Sequence, residues 1–192
     1  GGGAAATAPH SKQRAVMTPR SLVAPQVEAM VRLGYHPATF PGEGLARLLN
    51  CLSCVAAEGW DGLEYSAQAL SECFADPRPL RRALDDAGLE LCGLYYPCGF
   101  RSDAEVDAWL DQGREVVRFC QQVGCHLVLI DGGYKPDGLA APEALEAQIR
   151  RAAAGANAMG RICATAGLLC SWHQHWDTVF EYHAPFERLM EL

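Results

Sequence analysis

The stretch Trp172-His173-Gln174-His175-Trp176-Asp177-Thr178 places two imidazoles two residues apart. On an extended chain, side chains at i and i+2 project to the same side. Two neutral imidazoles so placed can share a divalent ion or move protons near neutral pH. The flanking tryptophans can stack on a sugar face or wall a pocket. The plainer alternative is a solvated strand end whose histidines bond nearby loops. Groups of similar chemistry recur elsewhere after short apolar runs: Tyr35 with His36, Glu64, Tyr95 with Tyr96, and Asp131. Each can ligate a metal or shuttle a proton, so the question becomes which elements would bring them together.

Four helix stops punctuate the chain: Glu58-Gly59, Ala87-Gly88, Val123-Gly124 and Ala166-Gly167. Glycine just past a helix takes the left-handed conformation that ends it at low cost. After each stop comes a strand-like run: Gly62 to Tyr65, Leu89 to Tyr95, His126 to Ile130, and Leu168 to Trp172. Before the first stop, Met30 to Tyr35 reads as an opening strand. Helical spacing is legible in Leu45, Leu48, Leu49, Leu52 and Val55, in Val106, Trp109, Leu110, Val116, Val117 and Cys120, and in Leu145, Ile149, Ala152, Ala156, Met159 and Cys163. Ser102 is a candidate N-cap, and Pro142-Glu143 suits a first helical turn. Pro77 and Pro79 interrupt the helix after Glu64, which reads most clearly from Leu80 to Ala87. A last helix is expected over Ala184 to Glu191.

Strands alternating with helices imply βαβ units and a parallel sheet. A doubly wound sheet usually carries a Gly-rich phosphate loop after an early strand, and no G-x-G-x-x-G is present. The monotonous repeat fits a (β/α)8 TIM-type barrel better. In either architecture the strand C-terminal ends carry function, and the residues named above all fall there.

Composition narrows the classes. The 192 residues carry 16 Lys+Arg and 23 Asp+Glu, a net charge of −7, with 49% hydrophobic residues. That suits a soluble globular domain, and no apolar run is long enough for a membrane span. Through Val27 the chain has three basic residues and no acid, so the remainder stands at −10. An acidic body argues against tracking a nucleic-acid backbone. Residues 1–29 read as a basic, loosely held leader, either a transit peptide or sequence foreign to the mature protein. The cytoplasm is the expected compartment, or an organelle if the leader is a transit peptide. Nine cysteines, mostly beside apolar residues, read as reduced core thiols. Cys51 and Cys54 form a C-x-x-C, but they fall within a helical pattern and no second pair follows.

Three pieces resemble the xylose isomerase-like TIM-barrel superfamily of sugar isomerases and epimerases, and within it the inosose (2-keto-myo-inositol) dehydratase group. They are Gly59-Trp60-Asp61-Gly62-Leu63-Glu64, the segment Leu80 to Leu94, and His173-Gln174-His175-Trp176-Asp177-Thr178 followed by Phe186-Glu187-Arg188-Leu189-Met190. The last is similar to the family's His-x-His-x-Gly-Thr, with Asp177 where glycine is usual. The resemblance implies a divalent metal (Mn²⁺, Mg²⁺ or Co²⁺) and a sugar or keto-polyol substrate. It also implies removal of a proton α to a carbonyl, through a metal-stabilised enediolate. Its fifth-strand position matches His173 or His175, it makes Glu64 a substrate-positioning or acid–base candidate, and it carries over no further. Read together with the other strand ends, His173 and Asp131 are the expected metal ligands and Glu64 and His175 the expected acid–base groups. His36, Tyr95, Trp172 and Trp176 become substrate contacts.

A complete barrel of this type needs about 250 residues. Only five βα units are legible from Met30 to Leu192, so a partial barrel is expected. Five open parallel strands leave two edges. A homo-oligomer is therefore expected, and a non-catalytic partial barrel acting through self-association or a partner chain is the alternative to an enzyme.

Overall fold

The computed structural model describes residues 32–133 and 141–192. The expected leader lies outside the described residues. Within them the elements follow in strict alternation: β1 (Gly34–Tyr35), α1 (Gly44–Ala57), β2 (Gly62–Ser66), α2 (Arg78–Ala87), β3 (Glu90–Tyr95), α3 (Asp103–Val123), β4 (Leu127–Ile130), α4 (Pro142–Thr165), β5 (Leu169–Trp172) and α5 (His183–Met190). The strands form one parallel sheet in the order β1-β2-β3-β4-β5. Sequential order in an all-parallel sheet with a helix in every crossover is the arrangement of a barrel wall. A doubly wound sheet would reverse its strand order partway.

Local chemistry sets the boundaries. Gly59, Gly88, Gly124 and Gly167 all have φ between 67° and 81°, the left-handed region in which a side chain is disfavoured. Ser102 accepts the Glu105 N–H at 3.2 Å and caps α3, with Asp103 and Glu105 in its first turn. Pro79 is tolerated in the first turn of α2, where an N–H would be unpaired anyway.

Alternate strand residues face the helices. Leu63 and Tyr65 of β2, Leu91 and Leu94 of β3, and Val128 and Ile130 of β4 are buried together with Leu48, Leu84, Val116, Ile149 and Met159 of the helices. Each fully buried leucine contributes about 1.5–3 kcal/mol relative to exposure. The other sheet face carries the more accessible residues, Glu64, Leu129 and Ser171 among them. The C-x-x-C lies within α1, with Cys51 buried and donating to the Leu48 carbonyl at 3.0 Å and Cys54 exposed. All nine cysteines are free thiols.

Candidate active site at the strand C-terminal ends

Register decides which groups meet. Tyr95 pairs with Leu129 across β3 and β4, so Asp131 lies two residues beyond that pair and on the same face. Ile130 pairs with Trp172, and the His173 N–H donates to the Ile130 carbonyl at 2.7 Å, carrying the ladder one residue further. That extension sets His173 beside Asp131. The ring centroids of Tyr95 and His173 are 5.8 Å apart, those of Tyr95 and His175 6.5 Å, and those of His173 and His175 5.9 Å. Both imidazoles thus lie near the Tyr95 ring.

Asp131 is the most confined member. It is 1% exposed, and its Oδ2 accepts the Tyr95 hydroxyl at 2.5 Å. Its Oδ1 is buried without a hydrogen-bond partner. His175 Nδ1 lies 2.9 Å from the Trp176 carbonyl oxygen. A carbonyl only accepts, so Nδ1 is the donor, and in the neutral tautomer that this fixes the lone pair is on Nε2. Trp176 stacks on the His175 ring at 6.1 Å and is 74% exposed, at the rim.

Backbone hydrogen bonds clamp the three loops. The Cys98 N–H donates to the Asp131 carbonyl at 2.8 Å, the Gly133 N–H to Cys98 at 3.1 Å, and the Val179 N–H to Gly133 at 2.8 Å. The loop after β4 is thereby held between those after β3 and β5. A Cβ on Gly132 would stand 1.6 Å from the Cys98 carbonyl oxygen, so only glycine admits this approach. Burial pushes the neighbouring Cys98 thiol up to about 11. The loop after His175 is tied by Thr178 Oγ1 donating to the His175 carbonyl at 2.9 Å and Gln174 Nε2 donating to that of Phe180 at 2.7 Å. Asp177 has φ 62°, so the residue standing where the resembling motif has glycine occupies the left-handed region. Aspartate tolerates that region better than most side chains.

The other expected site residues are placed apart from this group. Glu64 is half-buried beside Gly93, whose missing side chain leaves it room. It lies two residues before Ser66, the partner of Tyr95, and so sits deeper along the strands. His36 is exposed, and its Nδ1 accepts the Ala38 N–H at 3.3 Å, capping a single 3-10 turn on the far side of β2. Strand alternation turns Trp172, expected as a substrate contact, to the face opposite His173, where its ring stacks on Phe100 at 6.0 Å and meets Phe180 edge-on at 5.1 Å. It is partly buried there, packed against the core. Tyr96 likewise turns inward, donating to the Trp109 carbonyl at 2.8 Å.

Sequence reasoning missed the Tyr95–Asp131 bond and the Cys98–Gly132–Gly133 clamp. The adjacent glycines after β4 were a signal, since paired glycines at a strand end mark close backbone approach. Among the described residues, no group of three or more His, Cys, Asp or Glu side chains is arranged to hold a metal. The ladder brings the residues His173 and Asp131 to neighbouring strand ends, and a buried carboxylate oxygen without a partner suits a cation. No described helix is long and apolar enough to cross a membrane.

No family model matches the chain. It is 29% identical over 137 residues to the 3-dehydroshikimate dehydratase of Pseudomonas aeruginosa, covering 67% of this chain and 21% of that protein. It is 26% identical over 149 residues to the inosose dehydratase of Klebsiella pneumoniae, covering 73% and 48% respectively. The chain therefore spans about a fifth and about half the length of these curated relatives. Among solved structures, the IOLI protein with a bound zinc atom superposes with a TM-score of 0.66 at 12% identity, covering 84% of this chain and 58% of that one. A xylose isomerase-like TIM barrel protein from Mycobacterium smegmatis in complex with magnesium gives 0.61 at 14% identity, covering 84% and 61%. The five βα units thus have the fold of the xylose isomerase-like TIM barrels, and the sequence that builds them is similar to those of two dehydratases.

Proposed function

We propose that these strand ends form part of a catalytic centre that removes a proton α to a carbonyl in a sugar-like or cyclic keto-polyol substrate. Loss of that proton is the shared first step of isomerisation, epimerisation and β-elimination of water. The observation that carries the reading is Tyr95, which bonds the buried Asp131 carboxylate through its hydroxyl and packs its ring near both His173 and His175, while the other Asp131 oxygen has no partner. The dehydratase relatives and the metal-bearing structural neighbours support the same chemistry.

His173 and Asp131 Oδ1 would hold a divalent metal, together with donors from outside this pair. When bound, that ion supplies Lewis acidity that draws charge onto the substrate oxygens. His175, with its Nε2 lone pair presented, accepts the α proton. Glu64 is the second acid–base group, placed deeper to give a proton back to a departing or rearranging oxygen. Trp176 offers an exposed ring face to the C–H side of a sugar. The net negative charge leaves nucleic acid outside this proposal.

Two measurements test it. The chain is expected to bind Mn²⁺ by calorimetry and His173→Ala to bind at least about tenfold more weakly, the scale of a lost ligand contact. Equal binding by both sinks His173 as a ligand. In ²H₂O, the chain with Mn²⁺ is expected to exchange the α proton of inosose or 3-dehydroshikimate. His175→Ala is expected to keep Mn²⁺ binding and lose exchange, and undiminished exchange would remove His175 as the base.

A further inference from the structure

The Tyr95 hydroxyl occupies Asp131 Oδ2 from across the sheet and leaves Oδ1 bare. The torsion that orients a carboxylate plane is soft, so without a partner the plane is free to turn. The Asp131 main chain does not fix it, although its carbonyl is held by the Cys98 N–H at 2.8 Å. A side-chain bond to one oxygen sets the plane and with it the direction of the other oxygen's lone pairs. Tyr95 is well placed to be that bond. It comes from β3, two residues short of Asp131 in register, and its ring meets His173 edge-on at 76°.

We infer that Tyr95 is a positioning residue: its hydroxyl holds the Asp131 carboxylate so that Oδ1 faces a bound divalent cation beside His173. This rests on the proposed metal reading and assigns Tyr95 a task distinct from touching substrate. The phenol acts through Asp131, in the way a histidine ligand is held by the group on its far nitrogen. Phenylalanine in its place keeps the ring beside both histidines and removes the hydroxyl that bonds Asp131.

A double-mutant cycle on Mn²⁺ affinity, read by water-proton relaxation, tests this. Tyr95→Phe is expected to weaken binding about tenfold and also to lower the urea midpoint, since it leaves the buried Asp131 carboxylate without its partner. Asp131→Asn is expected to weaken it at least as much. In the Asp131→Asn background, Tyr95→Phe is expected to cost nothing further, because the group through which it acts is gone. A purely structural role would cost the same Mn²⁺ affinity in both backgrounds, and that outcome overturns the inference. Unchanged affinity in Tyr95→Phe, with binding still weakened by His173→Ala, overturns the inference alone. Absence of Mn²⁺ binding by the unmodified chain overturns both it and the metal reading.

Discussion

A methyl group at Gly132 would stand 1.6 Å from the Cys98 carbonyl oxygen and 2.7 Å from the Phe100 ring. One neighbour is backbone and the other is 0% exposed core, so neither can move aside cheaply. Gly132→Ala is therefore expected to cost about 1–3 kcal/mol by urea denaturation, the range of overpacked sites. Gly160 is the control. It lies within α4 with open space around its missing Cβ, and Gly160→Ala should gain about 0.5–1 kcal/mol from helix propensity alone. Equal effects at the two positions would contradict the clamp. Asp177 shows the same economy at another residue. Its φ of 62° is one that glycine adopts without strain, and the Asp177 N–H is retained as a donor to Glu181 at 3.1 Å. Aspartate thus holds a backbone conformation that glycine would adopt without strain.

Among the elements, α3 has the best-defined start. Ser102 accepts the Glu105 N–H, and the Glu105 carboxylate accepts the Arg101 N–H at 2.7 Å, so two donors at the helix N-terminus are satisfied. Ser102→Ala is expected to lower stability by about 1 kcal/mol, measured as a shift in urea midpoint. No shift would mean that water replaces the cap without loss. This cap, the four glycine stops and the helix starting at Pro142 were legible in the sequence because each is settled by its own few residues. The site was legible only in part. Strand-end positions nominated Tyr95, Asp131, His173 and His175 without saying that they touch. That depends on the register between strands, such as the pairing of Tyr95 with Leu129. The same parity that joins His173 to His175 excludes Trp172, and reading the flanking tryptophans as equivalent overlooked it.

At the scale of the whole molecule, the ionisable groups predict two different limits to stability. On the acid side, Arg78 beside Asp76 holds its carboxyl down to about 2, and Arg101 and Arg188 lower Glu105 and Glu146. Depressed carboxylates contribute stability that is present above their ordinary range and lost as pH falls from about 4 toward 2. Asp76 and Glu146 lie at the surface, so salt at about 1 M should shrink this arm. On the alkaline side, burial raises the thiols of Cys51, Cys73 and Cys98, the last to about 11, and the phenols of Tyr65 and Tyr96. The folded chain favours their neutral forms, so this stability is complete below the ordinary thiol value of 9.0 and is lost as pH rises toward about 11. Desolvation, not ion pairing, is the leading cause, and salt should leave the alkaline arm in place. Urea midpoints measured across pH at low and high salt should therefore show a plateau with a salt-sensitive acid edge and a salt-resistant alkaline edge. Cys98→Ser should soften the alkaline edge, since a hydroxyl does not ionise there. A midpoint at about pH 10 equal to that at neutrality would show that these thiols ionise in the folded chain without penalty. The loop clamp built on Cys98 would then be far looser than its hydrogen bonds to Asp131 and Gly133 imply.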